Sequence, residues 1–271
     1  MNKKFIAGGC SFTLGNELSD DAPGGKVPSK KSWAYGLKEN YSDEYVCAAY
    51  PGSGNSGIAR RVFDAVTKHE NIRCVVVMWS FLSRYDWAMP RHRELEQTRW
   101  ASISPWDTNS GNEEAFRTLA GSQTQQEEWR IRKETFEGTG VKPFAEAIYK
   151  HAANEYHEVY LSWMSIIWLQ NILQKKKIPF MFTLADNSLF YKDFDHHKEQ
   201  DAFMTALIKE IDFKKWFLFG ERAMGFNQWA QMKDYPRGTT HPLDEAHRDA
   251  VKLMTPKFKK LIDPLGAIGV G

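Results

Sequence analysis

Five short apolar runs interrupt an otherwise polar chain: Phe5-Ile6-Ala7, Glu44 to Tyr50, Arg73 to Ser80, Ile178 to Leu184 and Trp216 to Phe219. Each has the length of a strand. The Arg73–Ser80 run is β-branched and continuous, as suits a parallel strand covered on both faces. Between them lie stretches with helical spacing. Ser32 to Leu37 is short, and Ile58 to His69 places Ile58, Val62 and Ala65 on one side. Tyr156 to Lys177 is long, with Leu161, Met164, Ile167 and Trp168 read as its apolar side, and Ala202–Ile211 and Asp244–Leu261 complete the set. Strand–helix alternation predicts a three-layer α/β/α fold around a parallel five-stranded sheet.

One stretch breaks the rhythm. Phe81 to about Ala152 is polar and Trp-rich (Trp87, Trp100, Trp106, Trp129), without a clear strand. A single domain over residues 1–271 with an insertion or lid at about 82–152 is the expected organisation. The polar stretch Thr108 to Gln126 is its expected mobile part. The tryptophans either glue the insertion to the core or present stacking faces for apolar or sugar rings.

Composition narrows the function classes. A net charge of +2 over 271 residues gives no pull toward nucleic acid or an anionic membrane. No stretch approaches a membrane span, and the apolar run after MNKK is too short for a signal peptide. Cys10, Cys47 and Cys74 are odd in number and form no CxxC, which predicts reduced thiols and a cytoplasmic location.

Candidate chemistry gathers where strands end. After the first run comes Gly8-Gly9-Cys10-Ser11-Phe12-Thr13. A serine just past a strand's C-terminal end stands at the edge where open α/β sheets bind ligands. Its hydroxyl is a candidate nucleophile and its N–H a candidate oxyanion donor; the competing reading makes Ser11 a helix cap. Gly52-Ser53-Gly54-Asn55-Ser56-Gly57 follows the second run and opens a helix. It matches the dinucleotide fingerprint G-x-G-x-x-G, yet no acidic residue ends the next strand. Its free N–H groups fit an oxyanion hole instead. His241, stiffened by Pro242 in a loop before the last helix, is a candidate general base. His247 is read as a packing or capping residue. Asp193-Phe194-Asp195-His196-His197 could suggest a metal, but reads better as a solvated helix start; neither metal nor cofactor is expected.

These blocks resemble those of the SGNH (GDSL-type) hydrolases, serine esterases on a flavodoxin-like sheet. Gly9-Cys10-Ser11-Phe12-Thr13 is similar to the family's G-D-S-x-T, with cysteine for aspartate. Tyr50 to Asn55 resembles its glycine turn, and His241-Pro242 with His247 its last block. The wording of the first two blocks, and Arg84 after the third strand, resembles bacteriophage members, which would place the protein in host cytoplasm or virion. The resemblance implies Ser11 as nucleophile, His241 as base, and the Ser11 and Gly52 N–H groups as oxyanion donors. The substrate it implies is a small ester, with an acylated sugar as one form. The oligomeric state is left open.

Two family positions differ. The asparagine after the third strand is replaced in Trp79-Ser80-Phe81-Leu82, so Asn55 becomes the candidate side-chain donor. The aspartate three residues before the histidine is Gly238, so Asp234 becomes the candidate third member. An alternative register pairs Asp244 with His247. An alternative class is a non-catalytic binding or structural module of the same fold, which predicts that any pocket is closed or that Ser11 and His241 are out of hydrogen-bond reach.

Overall fold

The computed structural model describes residues 3–21, 27–88, 100–108, 141–190 and 198–263. Its framework is a parallel sheet of β1 (Lys4–Gly8), β2 (Glu44–Cys47), β3 (Ile72–Trp79) and β6 (Phe180–Leu184), in the order β2-β1-β3-β6. The strand side chains divide by parity, as the pleat requires. Ile6, Val75, Val77, Trp79, Phe180 and Phe182 face one core with α3 (Asn55–Lys68) and α5 (Glu155–Lys175). Phe5, Ala7, Val76, Met78 and Met181 face the other. There they meet α2 (Trp33–Lys38), α7 (Phe226–Met232) and α8 (Asp244–Ile262). The expected three layers are therefore present, and every central strand is apolar on both sides.

The fifth strand is not. Trp216–Phe219 makes a single parallel bridge, Phe182 to Trp216, plus a bond from the Phe217 N–H to the Phe182 carbonyl at 2.8 Å. The 3-10 turn Phe213–Lys215 immediately before it delivers the chain too late for a ladder to form. Trp216 serves instead as a core plug, edge-on to Phe182 and Phe190.

The long helix α5 also departs from its expected orientation. Leu161, Met164 and Trp168 are exposed, while Val159, Trp163, Ile166, Leu169 and Leu173 enter the core. A helix apolar on nearly every side carries no phase in its periodicity, and packing chooses the face. Ser162 and Gln170 lie on that buried face, each satisfied by hydrogen bonds.

Within the insertion, β4 (Tyr85–Ala88) and β5 (Trp100–Ile103) form an antiparallel pair where no strand was expected. Tyr85, Ala101 and Ile103 pack with Ala145 and Ile148 of α4 (Val141–His151) into a small separate core. Trp100 lies against the Arg60 guanidinium at 4.4 Å, which ties the pair to α3. Trp87 is half exposed and edge-on to Phe144. Trp129, Asp193 to His197 and, beyond Thr108, the polar stretch 109–126 fall outside the described residues. The helix α6 spans Lys198–Ile208. Cys10, Cys47 and Cys74 are unpaired, and among the described residues no helix is long and apolar enough to cross a membrane.

Candidate active site

β1 stops at Gly8, and the chain turns directly into α1 (Ser11–Leu14). Cys10, not Ser11, occupies the N-cap position, so the capping role weighed for Ser11 is not what its hydroxyl does. Ser11 is the first helical residue, where a backbone N–H has no partner within the helix. The residue is 8% exposed, and its Oγ lies 2.7 Å from His241 Nε2. The two ends of the chain thus meet at the C-terminal edge of the sheet, beside the point where the strand order reverses between β1 and β3.

His241 is held from its other side by Glu17. The Glu17 carboxylate lies 2.8 Å from His241 Nδ1. It also accepts the backbone N–H groups of Thr239, Thr240 and His241 at 2.9, 3.0 and 2.9 Å. Burial alone would raise its pKa, but the His241 and Thr240 hydrogen bonds and the nearby imidazole hold it at about 2. A carboxylate held ionised in this way accepts hydrogen bonds and has none to donate. The Nδ1 atom therefore carries the hydrogen, and Nε2 is left to accept the Ser11 hydroxyl. That is the tautomer a general base needs. The Phe12 ring packs edge-on against the imidazole, 4.7 Å between centroids, and fixes its plane.

Glu17, rather than Asp234, is thus the carboxylate on His241. Asp234 is exposed beyond the end of α7, with its N–H bonded to the Gln231 carbonyl. The reason is visible at Gly238. A Cβ there would stand 2.9 Å from Glu17 Oε2 and 3.0 Å from its Cδ. The Glu17 carboxylate fills the space that a side chain at 238 would claim. Reaching it takes an unusual path, for Glu17 sits in the left-handed region at φ 67°, just after Gly15 at φ 91°. The sequence carried only a weak signal for this: one of three acids, with Asp20 and Asp21, in the polar loop after the serine.

The Asp244–His247 register is not formed. Asp244 heads α8 and accepts the Ser19 N–H at 2.9 Å, the Ser19 hydroxyl and the Lys31 ammonium. Burial works against its ionisation, but the Lys31 and Ser19 bonds bring its pKa to about 2. It clamps the loop that carries Glu17. His247 is 1% exposed, and its Nδ1 accepts the Trp33 N–H at 3.0 Å, capping α2. Burial, with a contribution from the His241 charge, lowers its pKa from 6.5 to about 3. The unfolded chain protonates this group below about pH 6.5, but the folded protein does so only near pH 3. Acidification through that window favours unfolding by about 1.4 kcal/mol per pH unit from this group. The His247→Gln variant is expected to lose that slope, as read by urea midpoints at pH 6.5 and pH 5.

The glycine turn after β2 lies against the same edge. Ala48 and Tyr50 donate to the carbonyls of Ala7 and Gly9 at 2.7 and 3.1 Å. Gly52 follows with φ 74° and open space on its Cα face. The dinucleotide reading fails on sterics and charge. The Gly54 N–H donates to Asp86 Oδ2 at 3.2 Å, and Asp86 is buried under Arg60 and Arg61. A Cβ at Gly54 would stand 2.4 Å from the Arg84 carbonyl oxygen, and one at Gly57 would stand 2.0 Å from Asp86. These glycines make room for the insertion, and an internal carboxylate takes the helix N-terminus that a pyrophosphate would need.

Asn55 is likewise committed elsewhere. Its Nδ2 donates to Ser162 Oγ at 3.0 Å and to the Ser80 carbonyl at 3.3 Å, while its Oδ1 accepts the Ser80 N–H at 2.7 Å. Both amide hydrogens are used, so it is not the oxyanion donor. It pins the end of β3 instead. Among the described residues no group of three acidic, histidine or cysteine side chains could hold a metal.

No family model matches this chain, and no curated protein matches it. Solved structures do. The psychrotrophic esterase EstA of Pseudoalteromonas sp., in a structure inhibited by monoethylphosphonate, is 10% identical. That match covers 96% of this chain and 98% of the other at a TM-score of 0.45. A G-D-S-L-family lipolytic protein of Desulfitobacterium hafniense is 13% identical over 94% of this chain and 99% of its own, at 0.43. An acetyl xylan esterase of Butyrivibrio proteoclasticus is 10% identical over 95% of this chain and 64% of its own, at 0.41. At such identities and scores, the functional reading stands on the geometry of Ser11, His241 and Glu17.

Proposed function

We propose that this protein is a serine ester hydrolase that works through an acyl-enzyme. The observation that carries this reading is the relay from Ser11 Oγ to His241 Nε2 at 2.7 Å and from His241 Nδ1 to Glu17 at 2.8 Å. The non-catalytic alternative predicted a closed pocket, or Ser11 and His241 apart, and the hydrogen bond between them counts against the second of these.

The chemistry follows from the tautomer. His241 Nε2 takes the Ser11 proton as Oγ attacks the ester carbonyl, and Glu17 stabilises the imidazolium that forms. The Ser11 N–H, without a helical partner at the first position of α1, and the Gly52 N–H are the donors for the oxyanion. The imidazolium then protonates the departing alkoxide. Water, deprotonated by the same nitrogen, attacks the acyl-enzyme, and Ser11 leaves with the proton returned. A small acyl group, such as acetyl on a sugar hydroxyl, is the substrate class proposed.

A fluorophosphonate probe tests the reading, because it reacts with activated serines and leaves ordinary hydroxyls alone. Wild-type protein is expected to be labelled at Ser11, located by mass spectrometry of the labelled peptide. Equal labelling of wild type and Ser11→Ala, or none of either, would refute it.

A further inference from the structure

β1 and β3 leave the sheet side by side. Gly8 pairs with Val77, so the chain turns off β1 into Ser11 and off β3 into Ser80 at the same level. Besides Asp86, Arg84 of the insertion also reaches back to this edge. Its Nη1 donates to Ser80 Oγ at 2.9 Å, and its guanidinium lies 4.8 Å over the Phe81 ring. Phe81 packs on Phe12 at 5.7 Å, and Phe12 packs on His241 at 4.7 Å. A continuous aromatic bridge thus connects the guanidinium to the base.

Other arginines near the sheet have carboxylate partners. Arg60 and Arg61 face Asp86, and Arg73 bonds Asp43. Arg84 is half-buried and, among the described residues, has no carboxylate at ion-pair distance. Of a guanidinium's five N–H groups only the one on Ser80 is engaged among those residues, which leaves a rigid fork to receive an oxyanion.

The backbone that aims this fork is strained and heavily clamped. Ser83, just before it, has φ 58°, a conformation that side chains disfavour. Glu158, 9% exposed, accepts the Ser83 N–H at 3.1 Å, the Ser83 hydroxyl at 3.0 Å and the Tyr85 hydroxyl at 2.9 Å. Tyr149 donates to the Ser83 carbonyl at 2.6 Å. Strain kept in place by a buried carboxylate and two tyrosines is characteristic of a site that positions a functional group.

We propose that Arg84 recognises an anionic group, a carboxylate or a phosphate, carried by the ester substrate. It is a specificity-determining residue beside the Ser11–His241 centre, and the proposal rests on that centre being the reaction site. The position after β3 offers no asparagine amide, and it offers a cation instead.

Three chromogenic esters test it: 4-nitrophenyl acetate, its hemisuccinate counterpart with a carboxylate on the acyl group, and 5-acetoxy-2-nitrobenzoate with a carboxylate on the leaving group. Wild type is expected to favour one anionic ester over the acetate by about tenfold or more in kcat/KM. That ratio should fall to near one in Arg84→Gln and stay intermediate in Arg84→Lys, which keeps the charge and loses the fork. A second readout needs no turnover. Ser11→Ala protein is titrated calorimetrically with succinate and, separately, inorganic phosphate, and the tighter binder names the group. Adding Arg84→Gln should abolish that binding. A ratio near one for both anionic esters together with no binding of either anion would overturn the proposal. So would equal loss on all esters in Arg84→Gln. Failure to hydrolyse any ester sinks the esterase reading alone, and the titration still decides Arg84.

Discussion

Ser11→Ala is expected to lower kcat for 4-nitrophenyl acetate by about 10⁶-fold, to the level at which only binding and oxyanion donors remain. Removing Oγ takes away the atom that forms the acyl bond, and no neighbouring hydroxyl can replace it. Thr13, the next hydroxyl in α1, is fully buried on the same short helix. His241→Ala is expected to cost nearly as much, and the double variant no more than either alone. Groups that act as one relay do not lose their effects additively. Stopped-assay rates on all three proteins, with unchanged far-UV circular dichroism, check this. Rates in the double variant that equal the product of the single losses would mean that Ser11 and His241 act separately.

The parts of this site that were legible in the sequence are those fixed by local chain chemistry. A strand that ends in Gly8-Gly9 must turn, and Ser11 follows the turn. His241 before Pro242 must sit in a loop at the head of α8. Both expectations depend only on residues a few positions apart, and the structure brings the two side chains together. Glu17 obeys no such local rule. Its role depends on two left-handed residues and on Asp244, more than two hundred positions away, holding Ser19. Nothing in the spacing of a polar loop encodes that.

The misread residues share a cause. Asn55 and the glycines of its turn have the right identities for a donor or a phosphate cradle. The end of β3 and α5 claim Asn55 through Ser80 and Ser162, and the insertion, whose strands the sequence did not reveal, reaches back and claims the glycines through Arg84 and Asp86. Asp244 and His247 have the right spacing for a pair, yet one latches the Glu17 loop and the other caps α2. Motif spacing tells which residues can meet along a chain. It is silent on what a distant segment brings to the same place.

Glu17→Gln is therefore the most informative single substitution, with an expected loss of about 10⁴-fold in kcat and little change in KM. Glutamine keeps the size but has a single oxygen, whereas Oε1 of Glu17 accepts the Thr239 N–H and Oε2 accepts those of Thr240 and His241. The amide nitrogen takes one of the two places, so part of the loop's clamp is lost with the charge. The substitution replaces a pure acceptor with an amide whose N–H can face Nδ1. The imidazole would then move its hydrogen to Nε2, where it cannot take the proton of Ser11. Glu17→Asp should be impaired for a different reason, since a shorter side chain does not span the distance to Nδ1. Asp234→Asn is expected to leave the rate unchanged, because that side chain is exposed and does not contact His241. A pH series separates the charge from the shape. Glu17 titrates near 2 in the folded protein against 4.5 in the unfolded chain. The stability it contributes is complete above about pH 4.5 and drains away as pH falls toward 2, and this part of acid unfolding should vanish in Glu17→Gln. Steady-state kinetics and acid-unfolding curves on the three variants read both effects, and full activity in Glu17→Gln would remove Glu17 from the relay.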